Sequence, residues 1–175
     1  GDVLLVLPVM VQFGLIVLMS VAVFGVKDEV DERMRSKAVV HESNALNKLF
    51  YDAGVALGGY SVTKSPTFSD RYTKIVKEIP ESLSELRDLV DGDEAKQEQL
   101  EKITEVIDEG LAMLSDSKKA IDTNSADVGQ SKAKQMYKRL GQLDRQLEDK
   151  ISIFIADYRK GEHFESAAYF SSISL

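Results

Sequence analysis

From Val3 to Val26 the chain reads VLLVLPVMVQFGLIVLMSVAVFGV, a run of 24 residues without a charge. Gln12 and Ser20 are its only polar side chains. A helix that crosses the hydrocarbon core of a bilayer needs roughly 20 mostly apolar residues, and this run meets that length with room for tilt. A secretory leader has a basic n-region and an apolar core of only about 7–15 residues, so the run is too long and wrongly flanked for one. A buried core helix would show a polar stripe, which is missing here. Pro8 and Gly14 are residues that spanning helices tolerate. Residues 1–26 are therefore expected to be a transmembrane helix, and residues 27–175 a domain attached to it.

The charge left for that domain narrows its partners. The chain carries 22 Lys and Arg against 29 Asp and Glu, net -7. Asp2 is the only charge before Lys27, so the domain holds all 22 basic residues and 29 − 1 = 28 acidic ones, or -6. An acidic surface excludes nucleic acid and peripheral docking on anionic lipid as roles. With no cysteine there are no disulfides and no thiolate metal sites. Three prolines and no tryptophan in 175 residues lean towards helix.

Apolar residues recurring three and four apart define four helices, expected at about 27–62, 66–90, 94–122 and 127–170. The first carries a thin seam of Val30, Met34 and Ala38 nearest the span. Its main seam is Val39, Leu46, Leu49, Ala53, Leu57 with Ala56, and Tyr60. Gly58-Gly59 is expected to end this helix or admit a close backbone. Ser65 is expected to cap the second helix, with Pro66 at its first position. Phe68, Tyr72, Ile75, Ile79, Leu83, Leu86 and Val90 form its seam, and Pro80 is expected to bend it. Asp93 is expected to cap the third helix, whose seam is Leu100, Ile103, Ile107, Gly110, Leu114, Ser117 and Ile121. Ser125 or Asp127 should cap the fourth, with Met136, Leu140, Leu143, Leu147, Ile151, Phe154 and Tyr158 on one face. Gly161 interrupts that pattern before Phe164, Ala167, Ala168 and Phe170 resume it.

Four such segments joined by short loops predict an all-α fold, an antiparallel up-down-up-down four-helix bundle. At 1.5 Å per residue the four helices would measure ~54, ~37, ~43 and up to ~65 Å. The first and last are the long ones. They are expected to protrude together on the membrane side, with residues 62–67 and 122–127 forming the far tip.

Residues that could carry chemistry are few. His41 and His163 have no second ligand at helical spacing and read as surface histidines. There is no phosphate loop and no nucleophile elbow, so no catalytic residue, metal or cofactor is expected, and the chain is not expected to be an enzyme. Acidic runs such as Asp28-Glu29-Val30-Asp31-Glu32 read as solvated helix faces. One stretch combines glycines, aromatics and cations: Gly58-Gly59-Tyr60-Ser61-Val62-Thr63-Lys64, then Phe68 and Arg71-Tyr72. Tyr60, Lys64, Arg71 and Tyr72 are the candidate contacts there for an anionic ligand or a partner, beside a helix N-terminus. Pro80, Gly110 and Ser117 are the candidate places where two packings lie close in energy.

The pattern Asp52-Ala53-Gly54 … Gly59-Tyr60-Ser61-Val62-Thr63-Lys64 … Phe68 … Tyr72 resembles the third class of CHASE-type extracytoplasmic sensory domain, over roughly residues 5–170. That family's run is an acidic residue, a short gap, Arg-Gly-Tyr-Leu, Thr-Gly-Asp, an aromatic and a Tyr. Two positions depart from it. The family's Arg is Gly58 here, and Thr-Gly-Asp becomes Thr63-Lys64-Ser65.

The resemblance implies the sensor module of a bacterial two-component receptor, most often a histidine kinase. It implies a homodimer through the long helices, a lipid bilayer as neighbour, and a small-molecule or protein stimulus. It also implies a helix displacement passed across the membrane, from a periplasmic bundle anchored in the inner membrane. Lys27, Arg33, Arg35 and Lys37 after the span would by charge alone put the bundle inside, but they are interleaved with Asp28, Glu29, Asp31 and Glu32. The extracytoplasmic side therefore rests on the resemblance. Two rivals share the helices: a chemoreceptor-type ligand-binding bundle, and a structural membrane-anchored coiled coil without a ligand.

Overall fold

The structure, a computed structural model, describes residues 3–123 and 130–172, with side chains described at 30–123 and 134–160. Among these residues it is all helical. The elements are α1 Val3–Thr63, α2 Pro66–Leu89, α3 Glu94–Asp122 and α4 Gln130–Ser172. The first and last helices are the longest, as expected, at 61 and 43 residues against 24 and 29. The side chains of the expected membrane span, and the expected caps Ser125 and Asp127, lie outside the described residues. Among those described, no helix is long and apolar enough to cross a membrane. The chain forms two compact units, Gly1–Lys37 and Ala38–Leu175. In the first unit the described side chains Val30 and Met34 are exposed.

In the second unit, cross-helix contacts set the topology. Asp52 lies near Arg71 and Gly59 near Phe68, so α1 and α2 run antiparallel. Arg87 reaches Thr104 and Glu101, joining α2 to α3 close to their turn. Arg139 donates through Nε and Nη2 to Glu109, and Lys96 reaches Asp157, so α3 and α4 are antiparallel too. Gly54 faces Leu140 across α1 and α4. We call the end with the α1–α2 turn the tip, and the end with the α2–α3 turn the base.

The seams of α2, α3 and α4 are buried largely as their spacing predicts. Ile155 and Val106 join them, while Phe68, Ser117, Ile121, Met136, Leu140 and Tyr158 are only half-buried. In α1 the expected Val39, Leu46, Ala53, Ala56 and Leu57 are buried, and Ser43 and Phe50 complete the seam where Leu49 was expected. Val39, Ser43, Leu46, Phe50, Ala53 and Leu57 are buried, spaced 4, 3, 4, 3 and 4, and Leu49 lies beside them, half-buried. Ser43 hides its own place in the seam because its hydroxyl breaks the apolar pattern. Its Oγ and that of Ser82 on α2 are buried without a partner among the described residues.

Several local expectations change. Gly58-Gly59 does not end α1, which continues to Thr63. What approaches Gly59 is a side chain: a Cβ there would lie 2.7 Å from two atoms of the Phe68 ring, whereas one on Gly58 meets nothing within 4 Å. Gly59→Ala is therefore expected to lower stability by about 1–3 kcal/mol through overpacking. Gly58→Ala should raise it by about 0.5–1 kcal/mol through lost chain entropy. Urea denaturation of the two variants checks the pair, and equal effects would remove the packing argument. Ser65 sits at the N-cap of α2 in extended conformation, as a residue before proline should, but makes no side-chain cap bond. Its carbonyl instead accepts from Phe68 and Ser69. Asp93 does cap α3, accepting from the Lys96 amide at 3.1 Å. Pro80 lies on the exposed face of α2, which is one helix on either side of it. Gly161 does not interrupt α4.

Candidate functional site

The tip is built where α1 stops. Lys64 takes the left-handed conformation, φ 55°, and its amide donates to the Tyr60 carbonyl at 2.8 Å. That closes the helix with the single 5→1 bond of an αL cap, a position that favours glycine. The Thr-Gly-Asp turn of the resemblance carries glycine at this place, and this chain carries Lys64 instead. A non-glycine residue there costs roughly 1–2 kcal/mol. The side chain obtains contacts that glycine lacks: Nζ donates to the Ile121 carbonyl in the last turn of α3 at 3.1 Å and lies 6.0 Å from the Tyr60 ring centre. A cation at a helix C-terminus also meets the negative end of the helix dipole.

Around that turn the structure assembles a four-residue clamp. The Tyr60 hydroxyl donates to Asp122 Oδ1 at 2.8 Å, and Lys118 Nζ donates to Oδ2 at 2.8 Å. Lys118 also stands 5.4 Å from the Tyr60 ring centre, on the scale of a cation–π contact. The hydrogen bonds from Lys118 and Tyr60 hold the Asp122 carboxyl below the ordinary range. The same bonds push Tyr60 and Lys118 upward. Two ammonium groups, one carboxylate and one phenol thus tie the end of α1 to the end of α3. An incoming anion would reach Lys118 only by competing with Asp122.

The expected contacts separate. Tyr60 and Lys64 come together in the clamp. Arg71 stands 4.0 Å from Asp52, which also pairs with Lys48, about two to three turns of α1 before Tyr60. Tyr72 is buried in the core, and that burial raises its pKa. Lys118 and Asp122 were not singled out in the sequence. Their signal is an i, i+4 pair at the end of a helix predicted to finish at the same tip. Among the expected packing residues, Gly110 lies under the Phe50 ring and the half-buried Ser117 donates to the Met113 carbonyl at 2.8 Å. His41 is exposed, and the side chain of His163 lies outside the described residues. Among the described residues no group of His, Asp and Glu is placed to hold a metal ion.

At the base one cation is buried. Lys96 is 7 % exposed, and its Nζ donates to the Phe154 carbonyl at 2.8 Å, Asp157 Oδ2 at 3.2 Å and Gln99 Oε1 at 3.3 Å. The Phe154 and Tyr158 ring centres lie 5.4 and 5.1 Å away. Nothing in the local sequence marks this residue.

An antiparallel helical hairpin pair with a clamp at its tip and a buried cation at its base fits several helical families. Comparison with known families decides among them: the CHASE3 domain matches residues 31–156, well over half of the chain. This chain belongs to the CHASE3 family. CHASE3 domains are extracytoplasmic sensory domains of signalling receptors. The CHASE3 match takes in all of α2 and α3, both residue pairs of the tip clamp and the Lys96 base contact to Phe154. No curated protein and no solved structure matches the chain.

Proposed function

We propose that this CHASE3 domain is the membrane-anchored input module of a bacterial histidine-kinase-type receptor, and that it relays a stimulus as a small displacement of α1. The observation that carries this reading is the CHASE3 match, which begins at residue 31, just after the uncharged run ends at Val26. α1 is assigned as one helix from Val3 to Thr63, so a spanning segment at 1–26 would belong to the same element as the tip residue Tyr60. Relay needs two packings that differ by a few kcal/mol. Two features favour this. The buried hydroxyls of Ser43 and Ser82 have no partner among the described residues, a cost that the present packing carries. The end of α1 is held to α3 by polar contacts at the tip, which a stimulus can break without disturbing the apolar core.

The test locks that contact. Tyr60→Cys with Asp122→Cys, in a chain that has no other cysteine, allows a short bis-methanethiosulfonate linker to be tied by a reducible disulfide at each end across the clamp, the Tyr60 side chain being too long for a direct bond. In membranes holding a receptor that carries this domain, autophosphorylation is measured with the linker tied and then released by reduction. Locking is expected to change the rate roughly fivefold or more, the scale of ordinary coupling energies, and reduction should restore it. An unchanged rate with the linker demonstrably tied would count against relay through the tip.

A further inference from the structure

Glu42 on α1 and Glu85 on α2 meet across the seam between these helices, with their side chains hydrogen bonded to each other. The two positions lie equally far along the antiparallel helices from the Gly59–Phe68 contact, so the pairing follows the register of the bundle. Glu42 is half-buried and Glu85 is exposed. The pair sits at the base, little more than one turn of α2 before its C-cap Val90. Two ionised carboxylates are acceptors only and cannot hydrogen bond to one another. The contact therefore holds a proton between the two groups.

The surroundings supply little positive charge. On α2 the neighbours of Glu85 three and four residues away are Glu81, Ser82, Asp88 and Leu89, and none is basic. Arg87 turns instead to Glu101 and Thr104 of α3, and Lys74 pairs with Glu78. On α1 the matching neighbours of Glu42 are Ala38, Val39, Ala45 and Leu46, and Lys48 pairs with Asp52. The exposed His41 stands beside Glu42. From α3, the Phe50–Gly110 and Tyr60–Asp122 contacts bring Lys102 to the height of Glu42, but Lys102 is bonded to Glu98. α4 brings Asp149 and Lys150 to within about a turn of that height, on the Gly54 flank of α1. Ser82 is 7 % exposed, and its hydroxyl, one turn from Glu85 on the same face, has no partner among the described residues. It offers a donor to a carboxylate that has lost the shared proton.

Burial, and then the Glu85 charge, raise the Glu42 carboxyl above its ordinary value. The His41 charge opposes this, and the hydrogen bond to Glu85 adds to it. The help that this proton gives the packed bundle is complete below the ordinary value. It is lost as the pH rises through the raised one.

We propose that Glu42 and Glu85 form a proton-binding site that fastens α1 to α2 at the base of the bundle. With the proton in place the two carboxyls close the seam. Without it two negative charges face each other, the seam loosens, and Ser82 supplies a donor to one of them. The ligand is the proton itself, so acidity joins the stimuli that this domain can register. Only the effect on a receptor's output rests on the relay proposed above.

The test uses the full chain in detergent micelles, with isotope-labelled glutamate for carboxyl NMR. The Glu42 signal, assigned by its loss in Glu42→Gln, is expected to titrate above the ordinary value of 4.5 and to move down in Glu85→Gln. Spin labels on Asn44→Cys and Ser84→Cys, both exposed positions of a chain without cysteine, report the α1–α2 spacing. That spacing is expected to widen as the pH rises through the Glu42 midpoint. It should stay narrow in Glu42→Gln, whose amide can donate to Glu85 at every pH. His41→Gln should keep the response and raise its midpoint, because a positive neighbour is removed. Glu42 titrating at or below 4.5, a spacing that ignores pH, or a response that survives Glu42→Gln would each overturn the proposal. So would loss of the response in His41→Gln, which would make the histidine the sensor, or closure by Mg2+ at neutral pH, which would make the pair a cation site. In each of those cases the relay would stand, because the tied clamp and the receptor's output test it separately.

Discussion

Lys96→Glu is expected to destabilise the bundle by about 3–5 kcal/mol, the largest effect of any single change considered, because it places an unpaired negative charge in a buried site. Rules for local sequence predict the opposite. Lys96 is three residues after the N-cap Asp93, where a glutamate would complete a capping box and where a cation opposes the helix dipole. The surroundings decide the sign. An ammonium has three donors, and here it has three acceptors: the Phe154 carbonyl, Asp157 and Gln99. The faces of Phe154 and Tyr158 add cation–π attraction on two further sides. A carboxylate in the same place would face a carbonyl oxygen, a carboxylate and two negative ring faces.

Lys96→Met separates charge from packing. A methionine keeps the volume and removes the desolvation cost along with the ion pair, so it should cost only about 1 kcal/mol. Asp157→Asn should cost less than about 1 kcal/mol, because the Asp157 side chain is 70 % exposed and its pair with Lys96 is screened by water. Chemical denaturation of the three variants, followed by helical circular dichroism, gives the order. A Glu variant as stable as the parent would mean that the capping box outweighs the cage, and the account of the base would be wrong.

The two kinds of residue differ in how legible they are from sequence. The seams of α2 and α3 were readable because Leu83, Leu86, Leu100 and Ile103 repeat at 3 and 4 with strongly apolar side chains. In α1 the register was readable from Val39, Leu46, Ala53 and Leu57, but two positions were not, because Ser43 is polar and because Leu49 and Phe50 compete for the same step. The fold does not depend on that choice, since neighbouring positions on a helix share a broad apolar face. The tip was half legible. Tyr60 and Lys64 stand out as a turn, but Lys118 and Asp122 acquire meaning only when α3 is folded back beside α1, more than 50 residues along the chain. Lys96 was not legible at all, since its partners Phe154 and Asp157 are 58 and 61 residues away. Gly58 and Gly59 are equivalent in sequence, and only the Phe68 ring distinguishes them.

Gly110→Ala is expected to destabilise by about 2 kcal/mol, against the usual gain of about 0.8–1.0 kcal/mol for that change in a helix interior. The Phe50 ring is the reason. A Cβ on Gly110 would lie 2.3 Å from Cζ and 2.4 Å from Cε2 of that ring, which is buried at 2 % exposure. Gly110 is thus the socket for a side chain of α1, and the missing methyl group is filled by the ring. Phe50→Leu alone should cost roughly 1–3 kcal/mol through lost area and a partial cavity. The two changes together should be less costly than their sum by more than about 1 kcal/mol, since each relieves what the other causes. Strict additivity in a double-mutant cycle would show that the two residues do not share a packing constraint. The coupling bears on the relay as well. Any shift of α1 along α3 has to carry Phe50 past its socket, so a smaller residue at position 50 should lower the cost of that shift, while a larger one at 110 should trap α1 to one side.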